Sequence, residues 1–374
     1  MSFIPMVDLQ NQYFKIKRDV DAGIQTVINN TDFIKGKAVN IFSEQLAEYL
    51  NVKHVIPCAN GTDALQVAMM GLGLEPGDEV ITTDFTFIAT VEVIALLRLK
   101  PVLVDVDPNT FMIDPENVEK AITSRTKAIV PVHLFGQCAQ MEEIMSIAEK
   151  YNLFVIEDTA QAIGADYIYK NGMVRKAGTI GTVGCTSFFP SKNLGCYGDG
   201  GALFTNDDFL AAKFNAIVNH GMVKRYYHEM IGVNSRLDSI QAAVLLAKLP
   251  HLDNYNKARK NAADYYDNVF RNYSELITPY RVNNSTHTFH QYTLRLQNID
   301  RKQLMGYLKD KGIASAVYYP VPLHSQEAFK RFKSSDDDFP VTNQLVKEVL
   351  SLPMHTELNE DILKRITETV ISFL

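Results

Sequence analysis

Residues 183–206 read VGCTSFFPSKNLGCYGDGGALFTN, and the fold is decided by how this stretch divides. An apolar run from Val183 to Pro190 has the composition of a strand buried on both faces. A short polar turn then presents Ser191 and Lys192, four glycines follow, and a second apolar run, Gly201 to Asn206, forms the next strand. Lys192 thus stands at a strand end, where ligands are usually met, beside glycines that allow close backbone approach. A lysine chosen at random is a solvated surface cation. A desolvated one loses its proton easily and can form a Schiff base with an aldehyde cofactor, and this setting favours the second reading.

The same alternation of apolar runs with helix-like segments extends back to residue 54. Candidate strands are His54–Asn60, Glu79–Phe85, Pro101–Asp107, Lys127–Phe135 and Leu153–Asp158, which with the two runs above makes seven. Strands separated by helices predict an α/β domain whose mostly parallel sheet is covered on both faces. TDALQVAMMGLG carries apolar residues at helical spacing and closes on Gly71 and Gly73; Asn206 to Asp208 marks a helix start; Arg236 to Leu249 reads as an amphipathic helix ended by Pro250. The domain change is placed there, with a large domain over 1–250 and a smaller α+β domain over 251–374. The N-terminal arm, 1–12, is expected to pack near the small domain. Lys330 to Lys333, followed by Asp336 to Asp338, reads as a solvated loop.

At 374 residues, 46% hydrophobic and 21% charged, the chain is long enough for both domains and too apolar for extended disorder. A formal charge of -6 offers phosphate backbones no general attraction, so nucleic acid is not an expected partner. The N-terminus lacks a secretory pattern and no window is apolar enough to span a bilayer, so a cytoplasmic protein without a membrane partner is expected. Cys58, Cys138, Cys185 and Cys196 are scattered, which reads as reduced, buried thiols. His287 and His290 share a helical spacing but lack partners at ligand spacing, so no metal is expected.

Three further motifs bear on chemistry. In LFVIEDTAQAIGA a buried strand delivers Asp158 to the C-terminal edge of the sheet, the edge at which such sheets bind ligands. Pyridoxal phosphate becomes an electron sink while its ring nitrogen stays protonated, which a buried carboxylate enforces; Gln161 lies within reach of the ring hydroxyl in this reading. An aspartate at a strand end is otherwise a turn or helix cap. In CANGTDALQ a strand runs through an Asn-Gly-Thr turn into a helix, whose free N–H groups and dipole form a ready anion site; plain capping by Asn60 or Thr62 is the competing reading. Phe85, in TTDFTFIAT, is a candidate stacking ring or a core residue. GLGLEPGD mimics a dinucleotide fingerprint, but its glycines close a helix, which argues against a nicotinamide cofactor.

Taken in order, NGTDAL, DFTFIAT, EDTAQAIGA, SFFPSKNLG with GDGG, GVNSRLDSIQAA and YYPVPLHSQ span nearly the whole chain, and the set resembles the DegT-type sugar aminotransferases of the aspartate aminotransferase superfamily. The resemblance implies a fold type I enzyme using pyridoxal 5'-phosphate, with pyridoxamine 5'-phosphate as intermediate, in a homodimer with shared active sites. It implies Lys192 as the Schiff-base lysine, Asp158 as the pyridinium partner, Gln161 as the O3′ contact and Phe85 as the stacking ring. Gly61, Thr62 and Ser187 would hold the phosphate, joined by Asn234 of the neighbouring subunit. Tyr319, His324 and the neighbour's Arg236 would meet the sugar.

The implied substrates are L-glutamate and a nucleotide-linked keto-sugar, a UDP- or dTDP-3-keto-hexose for surface polysaccharide. The motif wording is similar to enzymes that aminate UDP-2-acetamido-3-oxo-glucuronate for lipopolysaccharide. Tyr318 departs from the pattern, which commonly has histidine before the Tyr-Pro pair. The alternatives are a pyridoxamine-phosphate-dependent sugar dehydratase, against which Lys192 argues because those enzymes carry histidine there, and a non-enzymatic regulator on the same fold.

Overall fold

The computed structural model describes residues 3–332 and 334–374; Met1 and Ser2 of the N-terminal arm and Lys333 of the basic cluster lie outside them. Seven strands build the central sheet: β1 (His54–Cys58), β2 (Glu79–Thr83), β3 (Lys100–Val104), β4 (Thr126–Val130), β5 (Phe154–Asp158), β6 (Val183–Ser187) and β7 (Gly201–Thr205). Their order is β1-β7-β6-β5-β4-β2-β3. β7 runs antiparallel to both its neighbours, β1 and β6, while the pairs from β6 to β3 are parallel. The α/β reading with a mostly parallel seven-stranded sheet holds.

Alternation along the strands divides the core. Ile81, Ile129 and Val155 enter one buried cluster, whereas their neighbours Val80, Ala128, Val130 and Ile156 enter another on the opposite face. Both faces of the sheet are therefore buried, as a parallel sheet flanked by helices requires.

The sequence places several boundaries up to five residues too far out. β2 ends at Thr83 and not at Phe85, because the Thr83 hydroxyl accepts the Phe85 N–H (3.2 Å) and turns the chain. The helix expected from Arg236 begins at Ser239, since the preceding residues are tied to the 33–36 loop: Ser239 N–H donates to the Phe33 carbonyl, and Gly36 N–H donates to Ser239 Oγ. A 3-10 turn, Leu249–His251, then leads into a helix over Leu252–Phe270.

That last helix begins with Leu252 in a large-domain core cluster and ends with Tyr266 and Phe270 in a separate cluster. The second cluster packs on strands Leu276–Ile277, Tyr292–Leu296 and Val349–Leu352. Ile4 belongs to it as well, pairing through its backbone with Gly312 and Ala314. All four cysteines are buried and free. No helix among the described residues is long and apolar enough to cross a membrane.

Candidate active site

The strand pattern brings four chain segments to one edge of the sheet. Cys58 at the end of β1 pairs with Gly201, Ser187 at the end of β6 pairs with the same residue, and Asp158 at the end of β5 lies opposite Cys185. A cavity of about 770 Å³ opens there, and its lining includes Gly61, Thr62, Asp158, Gln161, Ser187, Lys192 and Tyr319. Seven residues predicted from sequence thus share one wall-to-wall space.

The phosphate-sized corner is a backbone construction. Asn60 caps the helix Gly61–Gly71 with its side chain, accepting Asp63 N–H at 2.8 Å, so the capping reading of this turn is correct. Capping and anion binding are compatible, because the N–H groups of Gly61 and Thr62 have no acceptor within the described residues. A Cβ on Gly61 would lie 2.7 Å from Ser187 Cβ, and one on Gly201 would lie 2.4 Å from the Asn60 carbonyl. Glycine is needed at both positions for close approach.

Lys192 is held by its loop. Its N–H donates to the Phe189 carbonyl (2.8 Å), Cys196 N–H returns to the Phe188 carbonyl, and the buried Lys248 Nζ donates to the Gly195 carbonyl at 2.7 Å. Lys192 Nζ has no hydrogen-bond partner among the described residues, and the surrounding protein desolvates it. Its pKa falls to about 8, with the nearby Asp158 charge opposing the fall.

Asp158 is buried, with Oδ2 accepting from Thr90 Oγ1 at 2.8 Å and Oδ1 from Ala160 N–H at 3.1 Å. Its strand end is anchored by the preceding residue. Glu157, fully buried, accepts from His133 Nε2 and from the N–H groups of Gly178, Ile180 and Gly181. Gln161 accepts Phe135 N–H (2.7 Å) and donates to Tyr319 Oη (3.0 Å).

The structure separates four expected residues from this cavity. Phe85 is 1% exposed and meets Phe111 and Tyr319 edge-on, so it is a packing residue; the early end of β2 swings Phe87, whose ring is 54% exposed, into the lining in its place. His324 is buried with both ring nitrogens engaged, Nδ1 on Asp84 and Nε2 on Asp336. That leaves it no donor or acceptor for a sugar. Asn234 is exposed and Arg236 half-buried beside Lys35, and neither lines the cavity of its own chain. Next to Asn234, the buried Ser235 accepts Ala59 N–H at 3.1 Å and steadies the turn before Gly61.

Sequence reasoning missed Phe87, Thr90 and His290. The alternation in DFTFIAT puts Phe85 and Phe87 in the same phase, so the pattern alone does not choose between them. His290 lines it, and burial together with the Lys192 and Arg259 charges keeps its imidazole well below the ordinary value. Among the described residues no cluster of three or more His, Cys, Asp or Glu could hold a metal ion.

The arrangement offers an anion cradle, an unpartnered amine of lowered pKa and a buried carboxylate around one cavity. These features fit a phosphate-bearing aldehyde cofactor with a basic ring nitrogen. The sequence pattern of the DegT/DnrJ/EryC1/StrS aminotransferase family matches residues 15–371. The chain is 47% identical over 361 residues to a UDP-2-acetamido-2-deoxy-3-oxo-D-glucuronate aminotransferase of Pseudomonas aeruginosa, covering 96% of this chain and 98% of that one. It is likewise 47% identical over 372 residues to a pleiotropic regulatory protein of Geobacillus stearothermophilus, covering 99% and 98%. The structure of DesV from S. venezuelae, solved in complex with a ketimine intermediate, superposes with a TM-score of 0.95 at 35% identity, covering 100% of this chain and 98% of the other.

Proposed function

The chain belongs to the DegT/DnrJ/EryC1/StrS aminotransferase family, a class of pyridoxal-phosphate-dependent transaminases, and from that premise we propose that it transfers the amino group of L-glutamate to a nucleotide-linked 3-keto-sugar, UDP-2-acetamido-3-oxo-glucuronate being the favoured acceptor. The observation that carries the reading is Lys192, desolvated and unpartnered in a cavity shared with buried Asp158. The 47% identity to the glucuronate enzyme supports the acceptor.

Pyridoxal phosphate supplies the electron sink that makes the amino-bearing carbon acidic. The chain's own groups do the rest. Gly61 and Thr62 N–H groups and Ser187 Oγ would hold the phosphate, Asp158 would keep the ring nitrogen protonated, Gln161 would orient the ring hydroxyl and Phe87 would stack on the ring. Lys192 Nζ, neutral in a substantial fraction near pH 8, accepts and returns the proton at the reacting carbon. Alternation of two substrates at one site gives ping-pong kinetics. Among the described residues the only lysine or arginine lining the cavity is Lys192, so the nucleotide's charge must be met from elsewhere; on this reading that role falls to Asn234 and Arg236 of a neighbouring copy in a homodimer, since in their own chain both lie outside the cavity lining. Lipopolysaccharide or O-antigen synthesis in the cytoplasm is the setting this acceptor implies.

The test is a panel of keto-sugar nucleotides with glutamate, read by mass spectrometry for amino-sugar. A preference for an uncharged 6-deoxy sugar sinks the glucuronate assignment and leaves transamination standing. Arg236→Met should cost about 1.5 to 3 kcal/mol in kcat/KM on the acidic sugar, the range of a hydrogen bond to a charged group, and much less on the neutral one. The regulatory name of the Geobacillus relative motivates a second reading. A purified protein that binds no pyridoxal phosphate would favour it.

A further inference from the structure

We propose that His324 is a positioning residue, bridging Asp84 and Asp336 through its two ring nitrogens and thereby locking the Tyr319 side of the cavity onto the strand end that carries Phe87. The inference rests on the transaminase reading above for its kinetic consequences, and on geometry alone for the bridge.

Asp84 is fully buried immediately after β2. One carboxylate oxygen accepts the His324 backbone N–H at 2.7 Å, and the other meets His324 Nδ1 at 2.7 Å. The Asp84 carbonyl accepts Leu323 N–H at 3.3 Å. On the far side of the ring, His324 Nε2 meets Asp336 Oδ1 at 2.8 Å, and the imidazole lies flat on Phe339, with centroids 4.4 Å apart. Both ring nitrogens are therefore engaged by carboxyl groups, one on either side of the imidazole. Burial holds the Asp84 carboxyl above its ordinary value, and the bonds to His324 offset that rise only in part.

The clamp closes a ring of contacts around the cavity wall. Five residues before His324, the Tyr319 ring lies 6.1 Å from Phe85 edge-on and 6.2 Å from Phe87. Phe85 and Phe87 follow directly from Asp84. Tyr319 is thus held from behind by the segment that Asp84 begins, and along its own chain by the residue that Asp84 grips. Its hydroxyl reaches Gln161 and lines the cavity. Loosening His324 frees one wall and leaves the Lys192 loop and the Gly61 cradle untouched, because neither touches the clamp.

Asp336 makes the test clean, since its side chain is 80% exposed and contributes little to folding. In the full chain loaded with pyridoxal phosphate, the glutamate and keto-sugar half-reactions are followed separately by cofactor absorbance. Asp336→Ala should raise KM for the keto-sugar about tenfold, the effect of one charge-assisted hydrogen bond, with a much smaller change in the glutamate half-reaction. Asp336→Glu, which keeps the carboxylate, should recover most of the loss. Equal losses in both half-reactions, or none in either, overturns the proposal. In the cofactor-free protein, nitrogen spectra of the imidazoles should show a His324 ring signal, absent from His324→Gln, that shifts in Asp336→Ala; a His324 ring signal unmoved by Asp336→Ala overturns the bridge. A wild-type enzyme that loads from glutamate and aminates no keto-sugar points to failure of the acceptor assignment, which is thereby separated from failure of the clamp.

Discussion

The floor of the cavity and its Tyr319 wall are built by different means. On the floor, Gly61, Asp158 and Ser187 stand at the ends of strands or the first turn of a helix, and Lys192 in the tight loop after β6, all placed by backbone pairing along one sheet edge. Behind them Glu157 is held by four donors, three of them backbone N–H groups. The wall depends on side chains that meet from remote parts of the chain, with Asp84 and His324 separated by 240 positions. A backbone-built floor tolerates surface variation and suits a cofactor that never changes. A wall fixed by a few side chains can be altered without disturbing the floor, which suits acceptor choice.

Five substitutions test that contrast, the largest effect first. Lys192→Ala should lower both half-reactions by at least about three orders of magnitude, and borohydride should fix the cofactor only to the wild-type Lys192 peptide, as peptide mass spectrometry reads. Because desolvation lowers the Lys192 pKa to about 8, capture of pyridoxal phosphate by the cofactor-free protein should fall roughly tenfold per unit as pH drops below that value and level off above it. A capture rate flat across this range would mean that another group forms the link.

Asp158→Asn should lower turnover in both half-reactions by about two to three orders of magnitude, as loss of a preorganised charge does, while the cofactor still binds. Near-normal turnover would reduce Asp158 to a structural cap. At the junction of floor and wall, Phe87→Ala should weaken the cofactor's Kd roughly fivefold through lost stacking worth about 1 kcal/mol. Phe85→Leu should instead lower Tm with little change in that Kd, since its ring is core. An effect of Phe85→Leu on Kd larger than that of Phe87→Ala would restore Phe85 as the stacking ring. Last comes Thr90→Val, which removes the 2.8 Å bond to Asp158 and should slow both half-reactions about fivefold, an effect of the same size as that of Phe87→Ala, corresponding to one hydrogen bond of about 1 kcal/mol. Slowing confined to the keto-sugar would move Thr90 from the floor to the wall.

The floor was legible in the linear chain because each of its parts is announced within a dozen residues: a strand, a turn and the residue the turn presents. The wall was not. His324 sits in a motif that resembles a sugar-binding segment, yet its ring is spent on Asp84 and Asp336. Phe85 and Phe87 have the same phase in DFTFIAT, and the Thr83 hydroxyl that ends β2 selects between them.

What the amino-acid sequence determined by itself is the layered α/β architecture, the placement of Lys192 and Asp158 around one cavity, and the capped glycine turn at Gly61. Hydrophobic periodicity, glycine placement and capping chemistry act over short chain distances and need no partner segment. Only the tertiary structure decided which aromatic ring enters the cavity, that Thr90 steadies Asp158 and that His324 is a clamp. Those outcomes depend on which side chains, remote in sequence, arrive at hydrogen-bond distance in the folded chain, and burial then leaves each polar atom the partners within its reach.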